Sequence, residues 1–212
     1  MLGQHGRGVT RALFTAPARG LARIGVTPNM LTVAGTVATI TVAVLTLPQG
    51  RFILGPILLA VVLIGDSFDG ILARLTGTSS AFGAFLDSTM DRLADGAVFG
   101  SLAVWAALHL QAGPLRTWTV AIAVTTLVLA AAVPYARARA ESVGATAAVG
   151  IAERTDRLVL TAVGVLAVGL GAPAWVLTAA LALVAVGSLI TVIQRVSTVH
   201  RQLTRPAAEA SA

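Results

Sequence analysis

The sequence predicts an all-α polytopic membrane protein with six transmembrane helices and an N-terminal amphipathic juxtamembrane helix. The first observation is composition: 56% of the residues are hydrophobic, 11% are charged and the mean hydropathy is +0.86. Soluble domains of this length are less apolar. The second is that apolar runs of membrane-crossing length alternate with glycine, proline and polar breaks. The third is that arginine concentrates on one side of these runs.

Residues 1–27 are predicted to form the amphipathic segment. Basic residues recur there among apolar ones, at Arg7, Arg11, Arg19 and Arg23. A secretory signal peptide would have a continuous apolar core, which this segment lacks. We therefore expect it to lie on the cytoplasmic membrane surface.

The remaining sequence divides into six apolar spans, which we predict to be helices. They cover residues 30–47, 52–75, 81–110, 115–138, 155–171 and 174–195, to within a few residues at each end. Clear breaks occur at Pro48-Gln49-Gly50, Gly113-Pro114 and Gly171-Ala172-Pro173. Residues 28–200 thus form one six-helix domain, and residues 201–212 form a cytoplasmic tail.

Orientation follows from the arginines. When six spans alternate sides, only Arg51 and Arg116 fall beside the first, third and fifth connections, and every other arginine falls on the opposite side. Basic residues are retained on the cytoplasmic side of short loops. We expect a multi-pass protein of a bacterial plasma membrane with both termini in the cytoplasm. All nine acidic residues lie toward that same side, so the active site should face the cytoplasm.

Composition also excludes some functions. There is no cysteine, which rules out disulfides and thiolate metal ligands. The pI near 11.6 could indicate nucleic acid, but aromatic residues make up only 5% and the arginines are scattered between apolar spans. Membrane lipids are the expected partners and nucleic acid is not.

Carboxylates gather where the second and third spans approach the cytoplasmic side. In the second span, steps of three and four place five residues on one helix face: Asp66, Asp69, Gly70, Ala73 and Arg74. In the third span, Asp87, Asp91 and Asp95 stack by steps of four. The two acidic faces can meet. The pattern leaves open whether Asp95 touches a metal or an arginine.

Facing carboxylates in a membrane need positive charge, because each costs at least about 2.5 kcal/mol to insert. Arg74 and Arg92 cannot neutralise them all. Hard divalent cations with oxygen ligands can, so two Mg²⁺ ions, or Mn²⁺, are predicted to bind four residues: Asp66, Asp69, Asp87 and Asp91. Two ions about 3.5–4 Å apart would clamp the oxygens of a phosphoryl transfer. Small residues at Gly70, Ala73 and Gly83 would leave room for a nucleotide's phosphates and base.

Two functions without catalysis compete with this interpretation. Intramembrane aspartates also form ion pairs or the pathway of a proton or metal-ion transporter. A pathway should thread carboxylates through the bundle, but spans one, four, five and six carry none at mid-depth. A purely structural scaffold leaves the regular spacing unexplained.

The pattern Asp66-x2-Asp69-Gly70-x2-Ala73-Arg74-x8-Gly83-x3-Asp87-x3-Asp91 resembles, without a departure, the signature of the CDP-alcohol phosphatidyltransferases. The resemblance extends to the six-helix layout, the amphipathic N-terminal segment and the stretch from Thr27 to Thr32 that opens the first helix. In that family the enzymes are usually homodimers. The resemblance implies CDP-diacylglycerol as the donor.

Residue roles follow from the resemblance. It implies that Asp66 and Asp87 bridge two metals, that Asp69 completes one site, and that Asp91 belongs to the other. Asp91 is also the expected general base, deprotonating the acceptor hydroxyl as it attacks the β-phosphorus. The remaining signature and flanking residues are expected to contact the CDP-lipid: Asn29, Met30, Leu31, Thr32, Asp69, Gly70, Ala73, Arg74, Ser80 and Gly83.

The acceptor must be inferred outside the signature. Arginines end spans four and six and open span five, as a phosphorylated acceptor would require, although topology alone also places basic residues there. The segments at 135–141 and 150–157 resemble the actinobacterial branch of the family that uses inositol 1-phosphate, the phosphatidylinositol phosphate synthases. We expect Arg137, Arg154 and Arg195 to bind the acceptor phosphate. Glycerol 3-phosphate, the acceptor of phosphatidylglycerophosphate synthases, is the alternative.

Overall fold

The computed structural model describes Gly20 and residues 23–77 and 79–204, with side chains at all of these except 66–71 and 74–76. Most of the predicted amphipathic segment 1–27 lies outside the described residues, as do residues 205–212. The predictions for those two segments therefore stay predictions.

Between Pro28 and Thr204 the described residues form six helices and no strand. In chain order they are α1 (Pro28–Thr46), α2 (Leu54–Thr76), α3 (Ala81–His109), α4 (Pro114–Ser142), α5 (Arg154–Gly169) and α6 (Trp175–Thr204). Each corresponds to one predicted apolar span. The all-helical fold class and the number of helices in this range are confirmed.

Local capping explains where the helices begin and end. The Thr27 hydroxyl accepts a hydrogen bond from the Met30 amide at 3.3 Å, and Pro28 occupies the first turn of α1. Helix α2 stops at Gly77, which has the left-handed φ of 65° that favours glycine. The Ser80 hydroxyl then caps α3, so only a short connection separates the two acidic helices.

Two helices continue past their predicted ends. Helix α4 extends beyond residue 138 to Ser142, and α6 extends beyond Arg195 to Thr204, past the predicted start of the tail. The predicted ends followed the loss of apolar residues, but alanine, arginine and glutamate are good helix formers in water. An Arg137–Glu141 ion pair of 3.1 Å, one turn apart, adds to this stability.

The helices pack into one bundle. Helix α4 packs against α3 and α6, α1 packs against α2 and α3, and α5 packs against α6. Fully buried side chains fill the centre, including Phe99, Leu102, Leu177 and Leu181. The Thr126 hydroxyl on α4 also donates to the Leu181 carbonyl on α6 at 3.2 Å, an interhelical hydrogen bond suited to an apolar surrounding.

Three helices, α1, α4 and α6, are long and apolar enough to cross a membrane, and α2 contains a shorter apolar stretch, Leu54–Gly65. Large apolar side chains on the bundle surface, such as Val61, Trp118 and Leu183, are exposed as lipid-facing residues would be. The chain is therefore a membrane protein. Six complete spans remain a prediction. Helix α5 has only 16 residues, and carboxylates and arginines interrupt the apolar sequence of α2 and α3.

The loop between α4 and α5 (residues 143–153, the α4–α5 loop) is bound along α6. Three α6 side chains on one helix face make hydrogen bonds to its backbone. The contacts are Thr191 Oγ1 with the amides of Ile151 (3.2 Å) and Ala152 (3.1 Å), Arg195 Nε with the Val149 carbonyl (2.9 Å), and the Gln202 amide with Thr146 N (2.9 Å) and O (2.8 Å). Gly150 has φ 147°, and a Cβ there would overlap Thr191. The loop thus fixes where α5 begins.

Replacing Gly169 by alanine should destabilise the bundle. A Cβ at Gly169 would lie 2.8 Å from the Phe52 carbonyl carbon, so the backbone of the α1–α2 connection would have to move. Overpacking of this kind costs about 1–3 kcal/mol. We expect a lower thermal unfolding midpoint of the detergent-solubilised protein.

Gly100→Ala is the matched control, because a Cβ at Gly100 would meet only Leu127 Cδ1 at 3.8 Å, an ordinary van der Waals contact. Equal unfolding midpoints for the two variants would show that Gly169 is not a close-packing position.

Candidate active site

The acidic face of α3 is set by its N-terminal cap. Ser80 Oγ accepts a hydrogen bond from the Gly83 amide at 3.0 Å and starts the helix just before its first turn. From that start, Asp87, Asp91 and Asp95 follow at one-turn intervals along one side. Their burial increases with depth: Asp87 is exposed, the Asp91 side chain is 22% exposed and the Asp95 side chain is 8% exposed.

The first turn of α5 supplies the opposing charge. A capping box begins this helix: the Glu153 side chain accepts from the Asp156 backbone, and Asp156 Oδ2 accepts from the Glu153 amide at 3.0 Å. Arg154 and Arg157 are three residues apart and therefore lie on one side of the first turn. That side faces α3.

Ion pairs join the two helices. Arg154 Nη1 lies 2.7 Å from Asp91 Oδ1, and Arg154 Nε lies 3.1 Å from Asp95 Oδ1. Arg157 Nη2 lies 3.4 Å from Asp95 Oδ2, and Arg157 Nη1 donates to the Ala152 carbonyl at 3.1 Å. Two carboxylates thus face two guanidinium groups in a largely buried position, where an unpaired charge would be costly.

The predicted metal ligands divide into two groups. Asp87 and Asp91 are described, one turn apart on α3; Asp66 and Asp69 belong to α2, and their side chains fall outside the description. Among the described side chains, no three carboxylates or imidazoles gather as a metal site. The donor chemistry nevertheless fits a hard divalent cation, because the described candidates are carboxylates, Asp87 is exposed and the sequence has no thiolate to select a softer metal.

Some of the residues predicted to contact the CDP-lipid lie close together at the starts of α1 and α3. A Cβ at Gly83 would lie 3.3 Å from both Asn29 Oδ1 and Ser80 Oγ, so these three residues adjoin one another. Thr32 is buried, and its hydroxyl donates to the Pro28 carbonyl at 3.2 Å. The others are described only in part. Met30 is exposed, Leu31 and Ala73 are half-buried, and the side chains of Asp69 and Arg74 and the surroundings of Gly70 fall outside the description.

The three arginines predicted to bind the acceptor phosphate come from three helices. Arg154 pairs with the α3 carboxylates, whereas Arg137 on α4 is exposed and pairs with Glu141. Arg195 on α6 is 8% exposed and donates from Nε to Val149 and from Nη1 to the Val133 carbonyl at 2.5 Å.

Two residues at this site escaped assignment from the sequence. Asp95 contacts arginines, one of the two possibilities that its spacing left open, and Arg157 is its buried partner. The step of four after Asp91 was the available signal for Asp95. Nothing local identifies Arg157, since its pairing with Asp95 depends on where the bundle places the start of α5 relative to α3.

A mostly apolar cavity of about 550 Å³ adjoins these charges. Asp95 and Arg154 contribute to its wall, and the rest is built mainly from apolar side chains of α1, α2, α3 and α5, such as Leu59, Leu63 and Leu158. Charged groups at one part of an apolar cavity suit a ligand that has both a charged and an apolar portion.

Comparison with known proteins adds the following. The family model described as CDP-alcohol phosphatidyltransferase matches residues 25–186. The chain is 41% identical over 208 residues to a phosphatidylinositol phosphate synthase of Streptomyces avermitilis, covering 95% of this chain and 84% of that relative.

Solved structures of the Mycobacterium tuberculosis phosphatidylinositol phosphate synthase are also similar. The crystal structure with CDP-DAG bound has a TM-score of 0.83 and 36% identity, covering 93% of this chain and 96% of that one. The structure in complex with manganese and citrate has a TM-score of 0.82 and 36% identity, covering 92% and 91% of the two chains.

Proposed function

This chain belongs to the CDP-alcohol phosphatidyltransferase family and is an enzyme of it, and we propose that it transfers the phosphatidyl group of CDP-diacylglycerol to inositol 1-phosphate. The products are phosphatidylinositol phosphate and CMP. The names of the similar proteins support this acceptor, and the CDP-DAG complex of one of them supports the donor.

The observation that carries the proposal is the 2.7 Å contact between Arg154 Nη1 and Asp91 Oδ1. A guanidinium group binds phosphate well because its planar fork matches the phosphate oxygens. An acceptor held through its phosphate by Arg154 would therefore lie next to the Asp91 carboxylate. That is the neighbourhood a general base for the acceptor hydroxyl must occupy.

The proposed reaction is one displacement at phosphorus. Asp91 accepts the proton of an acceptor hydroxyl while that oxygen forms a bond to the β-phosphorus of the donor. The bond between this phosphorus and the oxygen bridging to the α-phosphorus breaks, and CMP leaves with that oxygen. Asp91 is 22% exposed at its side chain, which leaves it accessible to a substrate from the open side of α3.

Asp66, Asp69, Asp87 and Asp91 would hold two Mg²⁺ ions, for which Mn²⁺ is an alternative. The ions would supply positive charge that stabilises the diphosphate and the charge developing on the oxygens around the reacting phosphorus. The exposed carboxylate of Asp87, one turn from Asp91, supports this assignment, as does the manganese in a similar structure.

The donor would bind near the starts of α1 and α3. The close approach of Asn29, Ser80 and Gly83 supports this, because Gly83 leaves the α3 backbone uncovered beside two polar side chains. Gly70, Ala73 and Arg74 would contact the diphosphate from α2.

Arg137 and Arg195 would complete the acceptor site with Arg154. Two backbone carbonyls hold the Arg195 guanidinium in one orientation, so little conformational freedom is lost on binding. Glycerol 3-phosphate also carries a phosphate, so arginines alone do not distinguish the two acceptors.

We also propose a membrane topology and an oligomeric state. Both termini and the active site would face the cytoplasm, since Arg51 and Arg116 are the only arginines predicted on the other side. A homodimer is proposed on the family resemblance alone. Cysteine labelling of single-cysteine variants in intact cells tests the topology directly, because the natural sequence has no cysteine.

The test of the acceptor is CMP release by the purified protein from CDP-diacylglycerol, with inositol 1-phosphate, glycerol 3-phosphate, free inositol or serine. We expect turnover with inositol 1-phosphate, loss of turnover when EDTA removes divalent ions, and recovery on adding Mg²⁺ or Mn²⁺. Turnover with glycerol 3-phosphate alone would overturn the acceptor. Absence of CMP release with every one of these acceptors, in a protein with an intact unfolding transition, would favour the transporter alternative instead.

A further inference from the structure

Asp95 lies beyond the last residue of the signature, yet it is the most buried carboxylate on the acidic face of α3. We propose that Asp95, anchored by Arg157, is a positioning residue that holds Arg154 in the orientation needed to bind the acceptor phosphate. This inference rests on the proposed role of Arg154 in acceptor binding.

Each oxygen of Asp95 is used by a different arginine. Oδ1 accepts from Arg154 Nε at 3.1 Å, and Oδ2 lies 3.4 Å from Arg157 Nη2. Both contacts come from the first turn of α5, so Asp95 joins α3 to the start of that helix. With both oxygens committed to arginines, Asp95 is a poor candidate for a metal ligand.

Arg157 provides a fixed support. Its side chain is 4% exposed, and Nη1 donates to the Ala152 carbonyl at 3.1 Å. The Ala152 amide donates to Thr191 Oγ1, so the carbonyl that receives Arg157 belongs to the end of the α4–α5 loop that is bound to α6. Asp95 is thereby linked, through Arg157 and the end of the α4–α5 loop, to α6.

Asp95 fixes the orientation of Arg154 because it binds one particular nitrogen of the guanidinium group. Asp95 binds Nε, which leaves the Nη1 end directed toward Asp91 at 2.7 Å. Without Asp95, the side chain, 28% exposed, would sample other rotamers. Ordering such a side chain when the substrate binds weakens binding.

The first test is Asp95→Asn, assayed by steady-state CMP release. We expect the KM for inositol 1-phosphate to rise about tenfold, which corresponds to about 1.4 kcal/mol. The KM for CDP-diacylglycerol and the Mg²⁺ concentration giving half-maximal activity should stay at wild-type values. A shift in the Mg²⁺ requirement without a change in the acceptor KM would show that Asp95 acts on the metal and would overturn the proposal.

A double-mutant cycle with Arg154→Gln separates positioning from a general structural effect. If Asp95 acts through Arg154, Asp95→Asn should have little further effect on the acceptor KM in the Arg154→Gln protein. Additive effects of the two substitutions would mean that Asp95 acts independently and would overturn the proposal.

Asp95→Asn leaves the buried Arg157 charge without its carboxylate and could prevent folding. The variant Asp95→Asn/Arg157→Gln removes both charges, and it should fold while still raising the acceptor KM. A wild-type acceptor KM in this folded variant would overturn the inference. Should the wild-type enzyme use glycerol 3-phosphate instead, the proposed acceptor would be wrong, and the same cycle measured with that substrate would still decide the role of Asp95.

Discussion

Replacing Asp91 by asparagine is expected to reduce CMP release about 10³-fold, because a general base typically contributes about 10²–10⁴-fold to a reaction rate. Asparagine keeps the size of the side chain but cannot accept the proton of the acceptor hydroxyl. The loss should appear in kcat at saturating CDP-diacylglycerol and inositol 1-phosphate. Steady-state assays of the purified variant measure it directly.

The structure indicates that this variant will fold. Arg154 loses its 2.7 Å contact with Asp91 but keeps the 3.1 Å contact with Asp95, so Arg154 is not left without a carboxylate. An unfolding midpoint close to that of the wild type would confirm this. Activity within tenfold of the wild type, in a folded protein, would exclude Asp91 as the base.

Arg154→Gln should raise the KM for inositol 1-phosphate by about 10- to 100-fold, since a hydrogen bond to a charged group is worth roughly 1.5–3 kcal/mol. Glutamine keeps a polar side chain, but it is shorter and has no positive charge for the phosphate. The KM for CDP-diacylglycerol should change much less, because the donor is proposed to bind between α1, α2 and α3.

Arg201→Gln is the matched control. Arg201 is also an arginine on the cytoplasmic side of the predicted topology, but it is exposed, and within the described part of the chain it donates to the Ser197 carbonyl one turn away on α6. Its removal should leave both KM values unchanged. Equal effects of the two substitutions would indicate that total positive charge, and not a specific contact of Arg154, attracts the acceptor.

The helices and their order could be predicted from the sequence because the breaks are local. Pro28, Gly77 and Ser80 act on the backbone within a few residues of their own positions. The predicted C-terminal ends of α4 and α6 fell short of the observed ones. Hydropathy indicates only the part of a helix that lies in the membrane, whereas the helix itself continues into water wherever its residues favour helix formation.

The same distinction applies to the candidate site. The periodicity of one helix places Asp87, Asp91 and Asp95 on a common face without any knowledge of the fold. It cannot reveal that Arg157, whose sequence neighbourhood resembles an ordinary positive-inside cluster, becomes the buried partner of Asp95. That pairing links residues 62 positions apart and depends on where the bundle places one helix relative to the other.

The attachment of the α4–α5 loop to α6 has a consequence for biosynthesis. Ile151 and Ala152 reach Thr191 across 40 and 39 residues of sequence, and Thr146 reaches Gln202 across 56. As the chain emerges from the ribosome, α5 is made before the helix that fixes its starting point. The arginines at the start of α5 are therefore not held in position until α6 has joined the bundle. Transferase activity should arise only at that last stage of assembly.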